Sequence, residues 1–129
     1  IEANKLLLNG GSLIADGENP GDSYNFRSGG SGGSVYVRAY KFVGGGGLVS
    51  AKGGNGTSFN SAWNNDWSAP SAGGGRIAIW SSDGDTNVTT NVSAGDVPYA
   101  GEDEARLKRK GTAGTVRWCT LGGLMLLVR

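Results

Sequence analysis

The stretch Gly29-Gly30-Ser31-Gly32-Gly33-Ser34-Val35-Tyr36-Val37-Arg38-Ala39-Tyr40-Lys41-Phe42-Val43, followed by Gly44-Gly45-Gly46-Gly47-Leu48-Val49-Ser50-Ala51-Lys52-Gly53, decides how the chain is read. From Val35 to Tyr40 the side chains alternate. Val35, Val37 and Ala39 form one set, and Tyr36, Arg38 and Tyr40 form the other. A period of two places successive side chains on opposite faces of a strand, so the first set is expected inward and the second outward. Glycine runs flank the strand, and a second short apolar run, Leu48 to Ala51, follows. Outward from this point the same design recurs: short apolar runs alternate with glycine-rich or polar spacers. No window keeps apolar residues at helical spacing over the length a helix needs.

The runs repeat. Lys5-Leu6 through Gly17 aligns with Lys41-Phe42 through Gly53 at an offset of 36, and Asn19 aligns with Asn55 at the same offset. A second element occurs three times: Gly33-Ser34-Val35-Tyr36-Val37, Gly75-Arg76-Ile77-Ala78-Ile79 and Gly114-Thr115-Val116-Arg117-Trp118. Its offsets are 42 and 39. Short strands recurring at such a period, with loops absorbing the differences in length, are the pattern of a solenoid. Glycine serves the corners, through positive φ or close backbone approach. The expectation is one all-β domain over residues 1–129, a right-handed parallel β-helix with glycine-rich turns and two long aromatic loops. The competing readings are a small antiparallel sandwich with glycine-rich hairpins and a disordered chain with glycine linkers.

Composition narrows the function. Of 129 residues, 25 are glycine and only 3 are proline, and no strict Gly-X-Y period exists, so a collagen triple helix is excluded. Leu, Ile, Val and Phe make up about a fifth of the chain, at the edge of the disordered range, and a large core is not expected. Twelve basic residues face 11 acidic ones, which is no nucleic-acid footprint. With no histidine, a Ser-His-Asp triad or a His-dependent zinc site has no base or ligand. The four glutamates Glu2, Glu18, Glu102 and Glu104 lack apolar surroundings that would tune a catalytic acid. The glycine runs are followed by no Gly-Lys-Ser/Thr and by no helix to receive a phosphate. Isolated threonines do not form the regular ladder of an ice-binding surface. No enzyme activity and no cofactor are expected. The one cysteine, Cys119, sits in an alternating apolar run and is read as a buried structural thiol.

The pattern of Gly-rich-Ser-Val-Tyr-Val, Gly-Gly-Leu-Val-Ser-Ala-Lys-Gly-Gly-Asn-Gly, Gly-Gly-Gly-Arg-Ile-Ala-Ile and Gly-Thr-Ala-Gly-Thr-Val resembles the glycine-rich parallel β-helix repeats of large secreted or surface proteins, broadly of the pectate-lyase-like superfamily. The resemblance covers residues 5–128 and is most specific over Gly30 to Ile79. It implies a β-helix and an adhesive or extracellular-matrix role. The aspartate cluster with arginine or lysine that marks the enzymatic members cannot be matched here, so it implies no catalytic residue.

Two loops carry the candidate contacts. The longest insertion, Gly56 to Pro70, holds Phe59, Trp63 and Trp67 at intervals of four, with Asp66 among asparagines and serines. Glu18 to Ser28 holds Tyr24 and Phe26 at the equivalent point of the previous repeat. These aromatics either stack on sugar rings or partner surfaces, or fold down over the apolar side of the coil. Asp16, Glu18 and Asp22 lie close together, but their spacing is neither an EF-hand nor a β-roll repeat, so a solvated acidic turn is expected and no metal. Asp83, Asp85 and Asp96 are similarly ambiguous. Asn55, Asn87 and Asn91 each begin an Asn-x-Ser/Thr sequon beside a loop, which favours a secreted glycoprotein. The segment Glu102 to Lys110 is read as a solvated loop, and Leu121 to Val128 as a run too short to cross a bilayer. A chain that starts at Ile1 and stops on Arg129 within a strand-like run reads as processed or as a piece of a longer protein.

The expected function is therefore an extracellular structural or adhesive module of a filament, matrix or surface protein. Its partners would be neighbouring copies or adjacent segments meeting at coil ends, and possible glycans, with no nucleic acid and no membrane span. The alternative is a carbohydrate-binding or carbohydrate-acting β-helix using the aromatic loop.

Overall fold

The computed structural model describes residues 1–21, 27–59, 67–97 and 110–121. These residues form nine strands and no helix: β1 (Glu2–Leu7), β2 (Ser12–Ile14), β3 (Ser34–Val43), β4 (Gly47–Ser50), β5 (Ser58–Phe59), β6 (Trp67–Ser68), β7 (Arg76–Asp85), β8 (Val88–Asn91) and β9 (Thr115–Thr120). A four-stranded sheet has the order β1-β3-β7-β9, and a three-stranded sheet the order β2-β4-β8. Every pairing in these two sheets is parallel, which excludes the antiparallel sandwich. The only antiparallel pair among the described residues is β5 with β6.

The expected closed β-helix is not formed. The chain alternates between two small separate sheets, and no regular third side closes the circuit among the described residues. The described residues of the return stretches from Ala15 to Gly33, from Ala51 to Gly75 and from Val92 to Gly114 carry no strand of either parallel sheet. Among the described residues these stretches meet through single backbone hydrogen bonds, such as the Gly17 N–H to the Lys52 carbonyl at 2.7 Å and the Gly53 N–H to the Ser93 carbonyl at 2.9 Å, and not through a strand pairing.

The repeat offsets reappear as pairing registers. Lys5 pairs Lys41 and Leu13 pairs Val49, both at 36. Val35 pairs Ile77 at 42, and Ile77 pairs Val116 at 39. Within β3 the expected faces hold as far as Tyr40. Val37 and Ala39 are buried and Val35 is half-buried, whereas Tyr36, Arg38 and Tyr40 are exposed. Tyr40 and Lys41 are then exposed in succession, and Phe42 is buried. The phase slips by one residue here. Register contacts omit Tyr40 on both sides, since Ala39 pairs Ala3 and Ser81, and the next pairs are those of Lys41 with Lys5 and Asp83. A slip of one exchanges the faces of all later residues, and this is how Phe42 reaches the core after Tyr40 faces solvent.

The buried core consists of Val37, Ala39, Phe42, Val49, Ala51, Ile77 and Ile79, with Leu6, Leu8, Leu13, Val35, Val88, Val92 and Val116 half-buried around it. Turns between the sheets are set by local chemistry. The Gly11 N–H donates to the Leu8 carbonyl at 2.7 Å, with φ of 45° at Asn9 and 79° at Gly10. One repeat on, the Gly47 N–H donates to the Gly44 carbonyl at 3.0 Å, with φ of 56° and 78° at Gly45 and Gly46. Two successive positive φ values define a type I′ turn, for which Asn-Gly and Gly-Gly are the favoured pairs.

Elsewhere glycine acts through close approach. Gly33, Gly75 and Gly114 form a column at the starts of β3, β7 and β9. A Cβ on Gly75 would lie 1.8 Å from the Gly33 carbonyl oxygen, and one on Gly114 would lie 1.8 Å from that of Gly75. The same oxygens accept the next N–H groups: Arg76 to Gly33 and Thr115 to Gly75, both at 3.0 Å. The layers are held at backbone contact, and any side chain would hold them apart.

Candidate functional site

The return stretches are bound to one another by a ladder of polar side chains. The Asn55 N–H donates to Asn19 Oδ1 at 2.7 Å, and the Asp96 N–H donates to Asn55 Oδ1 at 2.8 Å. Asp16 does the same three residues before Asn19, accepting from the Ser50 hydroxyl at 2.5 Å and from the Lys52 N–H at 2.7 Å. Ser50 is buried, so this carboxylate supplies the acceptor that its hydroxyl needs. These acids and amides join layers. Asp85 caps the turn between the sheets, taking the Asn87 N–H at 2.8 Å through one oxygen and the Gly45 N–H at 3.3 Å through the other. Asp83 lies 3.6 Å from Lys41, and Asp96 lies 3.6 Å from Lys110. Among the described residues no group of three or more His, Cys, Asp or Glu is placed to hold a metal ion.

The aromatic candidates are placed only in part. Tyr24, Phe26, Trp63 and Asp66 lie outside the described residues, as do Asp22 and most of the segment Glu102 to Lys110. Phe59 and Trp67 pair across β5 and β6, which brings the two ends of the long insertion together. Of the sequon asparagines, Asn87 is exposed, whereas Asn55 and Asn91 are half-buried. The Asn91 side-chain oxygen accepts the Ser93 N–H and hydroxyl, at 3.0 and 2.9 Å. Cys119 is a free thiol and half-buried, not buried as expected, because it pairs with Trp80 and alternates with Trp118, which meets Phe42, so it lies on the face of the sheet away from the core. No described helix is long and apolar enough to cross a membrane.

The two ends of the stack are where the sequence reading expects neighbouring copies or adjacent segments to meet. Central rows are buried and terminal rows are not. Ile77 is buried, whereas its partners Val35 and Val116 are half-buried. Val49 is buried, whereas Leu13 on one side is half-buried. At the β1–β2 end Ile1 is 53% exposed and Ile14 63% exposed, beside an open cavity of about 370 Å³ lined by Leu13, Val35 and Tyr36. At the β9 end Trp118 is 40% exposed, and its ring meets Phe42 edge-on with centroids 5.8 Å apart. Beyond β1, β2, β8 and β9 no strand among the described residues continues the ladder.

No family model matches this sequence, and no curated protein or solved structure is similar to it, so the likeness to glycine-rich surface-protein repeats rests on the residues alone.

Proposed function

We propose that the chain is an extracellular structural or adhesive module that associates through the open ends of its two parallel sheets. The observation that supports this reading is the loss of burial from the central rows to the terminal ones, together with exposed Ile1, Ile14 and Trp118 at the ends. An unpaired strand edge is a template for another strand, and apolar residues beside it add area to the contact. The two ends differ, so association is head-to-tail, and such contacts propagate instead of closing. The exposed Asn87 sequon fits an extracellular location.

Sedimentation velocity across a concentration series, with negative-stain electron microscopy of the same samples, tests the reading. Linear oligomers that shorten in an Ile14→Lys variant are expected. A monomer at every concentration overturns it.

A further inference from the structure

Two columns of residues run through the four-stranded sheet from one end to the other. On the outer face Glu2 pairs Arg38, Arg38 pairs Trp80, and Trp80 pairs Cys119. On the core face Val37 pairs Ile79, and Ile79 pairs Trp118. Ile1 heads this second column. The Arg38 N–H donates to the Ile1 carbonyl and the Ile1 amino group donates to the Tyr36 carbonyl, both at 2.8 Å, which sets Ile1 beside Val37. Val37 and Ile79 are fully buried in the middle of the column, whereas Ile1 and Trp118 are exposed at its ends.

We propose that, as a joint resting on the association through sheet ends proposed above, β1 of one copy pairs in parallel with β9 of the next, with Ile1 against Trp118, Glu2 against Cys119 and Ala3 against Thr120. The occupant follows from the repeat. The outer edge of β9 is the edge that β3 and β7 turn to their next layer, and the outer edge of β1 is the edge that β3 and β7 turn to their preceding one. Each open edge is therefore matched by the opposite end of a second copy.

The register follows from the faces. A slip of one residue would carry Ile1 to the outer face and Glu2 onto the core. A shift of two keeps the faces but drags the second sheet with it, taking Leu13 out of line with Val49 and Thr90. Charge agrees with the unshifted joint. Arg117 lies two residues before Cys119 on the same face, so it is the diagonal neighbour of Glu2 across the joint, within reach of a long side chain. Among the described residues Arg117 has no carboxylate partner, and Glu2 lies 3.8 Å from Arg38. The carboxylate then stands between two guanidinium groups, one from each copy. Shape agrees as well. β1 pairs β3 only from Arg38 onward, and the open cleft of about 370 Å³ lies over Ser34 to Tyr36. In this register Thr115 to Arg117 of the neighbour run past Ile1 and roof the cleft. Val116 comes into line with Val35, in the column that Val35, Ile77 and Val116 form within one chain.

A Glu2→Cys variant of the full chain tests the joint. Opposite residues on strands about 4.8 Å apart fall within the Cα separation of roughly 4.4–6.8 Å that a disulfide spans. Oxidation with diamide, at a concentration where the variant associates, is expected to give a ladder of covalent oligomers on non-reducing gels. Peptide mass spectrometry should find the introduced thiol joined to Cys119 of the neighbouring chain. Wild type, with its one cysteine at one end, and Glu2→Cys/Cys119→Ser should give no ladder. Asn4→Cys, on the same face two residues on, should cross-link far less. Arg117→Glu should weaken association about fivefold in sedimentation velocity with circular dichroism unchanged, and it is the readout if Glu2→Cys loses its fold. Linear oligomers that give no Glu2→Cys ladder, equal cross-linking from Asn4→Cys, or an Arg117→Glu chain that associates as wild type does would each overturn this joint and leave the association standing. A wild type that stays monomeric at every concentration overturns both.

Discussion

Substituting Gly75 by alanine tests the central physical claim, that the glycine column sets the spacing between layers. The added Cβ would sit 1.8 Å from the Gly33 carbonyl oxygen and 2.7 Å from the Gly32 carbonyl carbon, both backbone atoms with no side chain to swing aside. Ordinary contact needs roughly 1.5 Å more, so β3 and β7 must part at their starts. Three backbone hydrogen bonds meet there: Arg76 N–H to Gly33, Gly75 N–H to Ala51 at 2.7 Å, and Thr115 N–H to Gly75. Each is worth about 1 kcal/mol net, and overpacking costs about 1–3 kcal/mol. Allowing for some relaxation and for the lower unfolded-state entropy of alanine, a loss of about 3–5 kcal/mol follows. That is a large part of the stability of a small domain. Gly21→Ala is the control, since a Cβ there meets nothing within 4 Å among the described residues. Urea unfolding followed by tryptophan fluorescence reads both. The expected result is a large fall in midpoint for Gly75→Ala at unchanged slope, with Gly21→Ala within about 0.5 kcal/mol of wild type. If Gly75→Ala stays within about 1 kcal/mol of wild type, the layers are not held at backbone contact and the argument fails.

Three further outcomes are expected. Asp16→Ala removes the acceptor of both the buried Ser50 hydroxyl and the Lys52 N–H, and should cost about 1–3 kcal/mol in the same assay; an unchanged midpoint would mean that water replaces the carboxylate. Ile79→Ala, in the fully buried row, should cost about 2–5 kcal/mol, whereas Tyr36→Ala on the outer face should cost little, and thermal melts of the two variants would expose a misassigned face if the order reversed. On secretion from a eukaryotic host, mass spectrometry should find sugar at the exposed Asn87 and less at Asn55, whose side-chain oxygen is held by the Asp96 N–H. Equal occupancy would mean that the Asn19–Asn55–Asp96 ladder opens readily.

By itself the sequence determined the strands and their register. The alternation of Val35 to Tyr40 fixes two faces through the period of the pleat, and the offsets of 36, 42 and 39 fix which residues pair, because equivalent residues in stacked layers do equivalent work. It also marked Asn19 and Asn55 as equivalent, without disclosing that one accepts the other's N–H. The tertiary structure alone decided the rest. Closure of a coil depends on the path of the return stretches, and glycine, which permits almost any path, leaves no periodic trace of the one taken; the expected β-helix gave way to two separate parallel sheets there. The slip at Tyr40 and Lys41 is one residue long, too short to show as a change of period. Most of the glycines were needed for what lies across from them and not for their own φ, and a neighbour brought in from 42 residues away is visible only once the layers are stacked. The sequence reading expects contact at the stack ends, but Ile1 and Trp118 stand in one column only through Val37 and Ile79 between them, so only the folded sheet brings them into register.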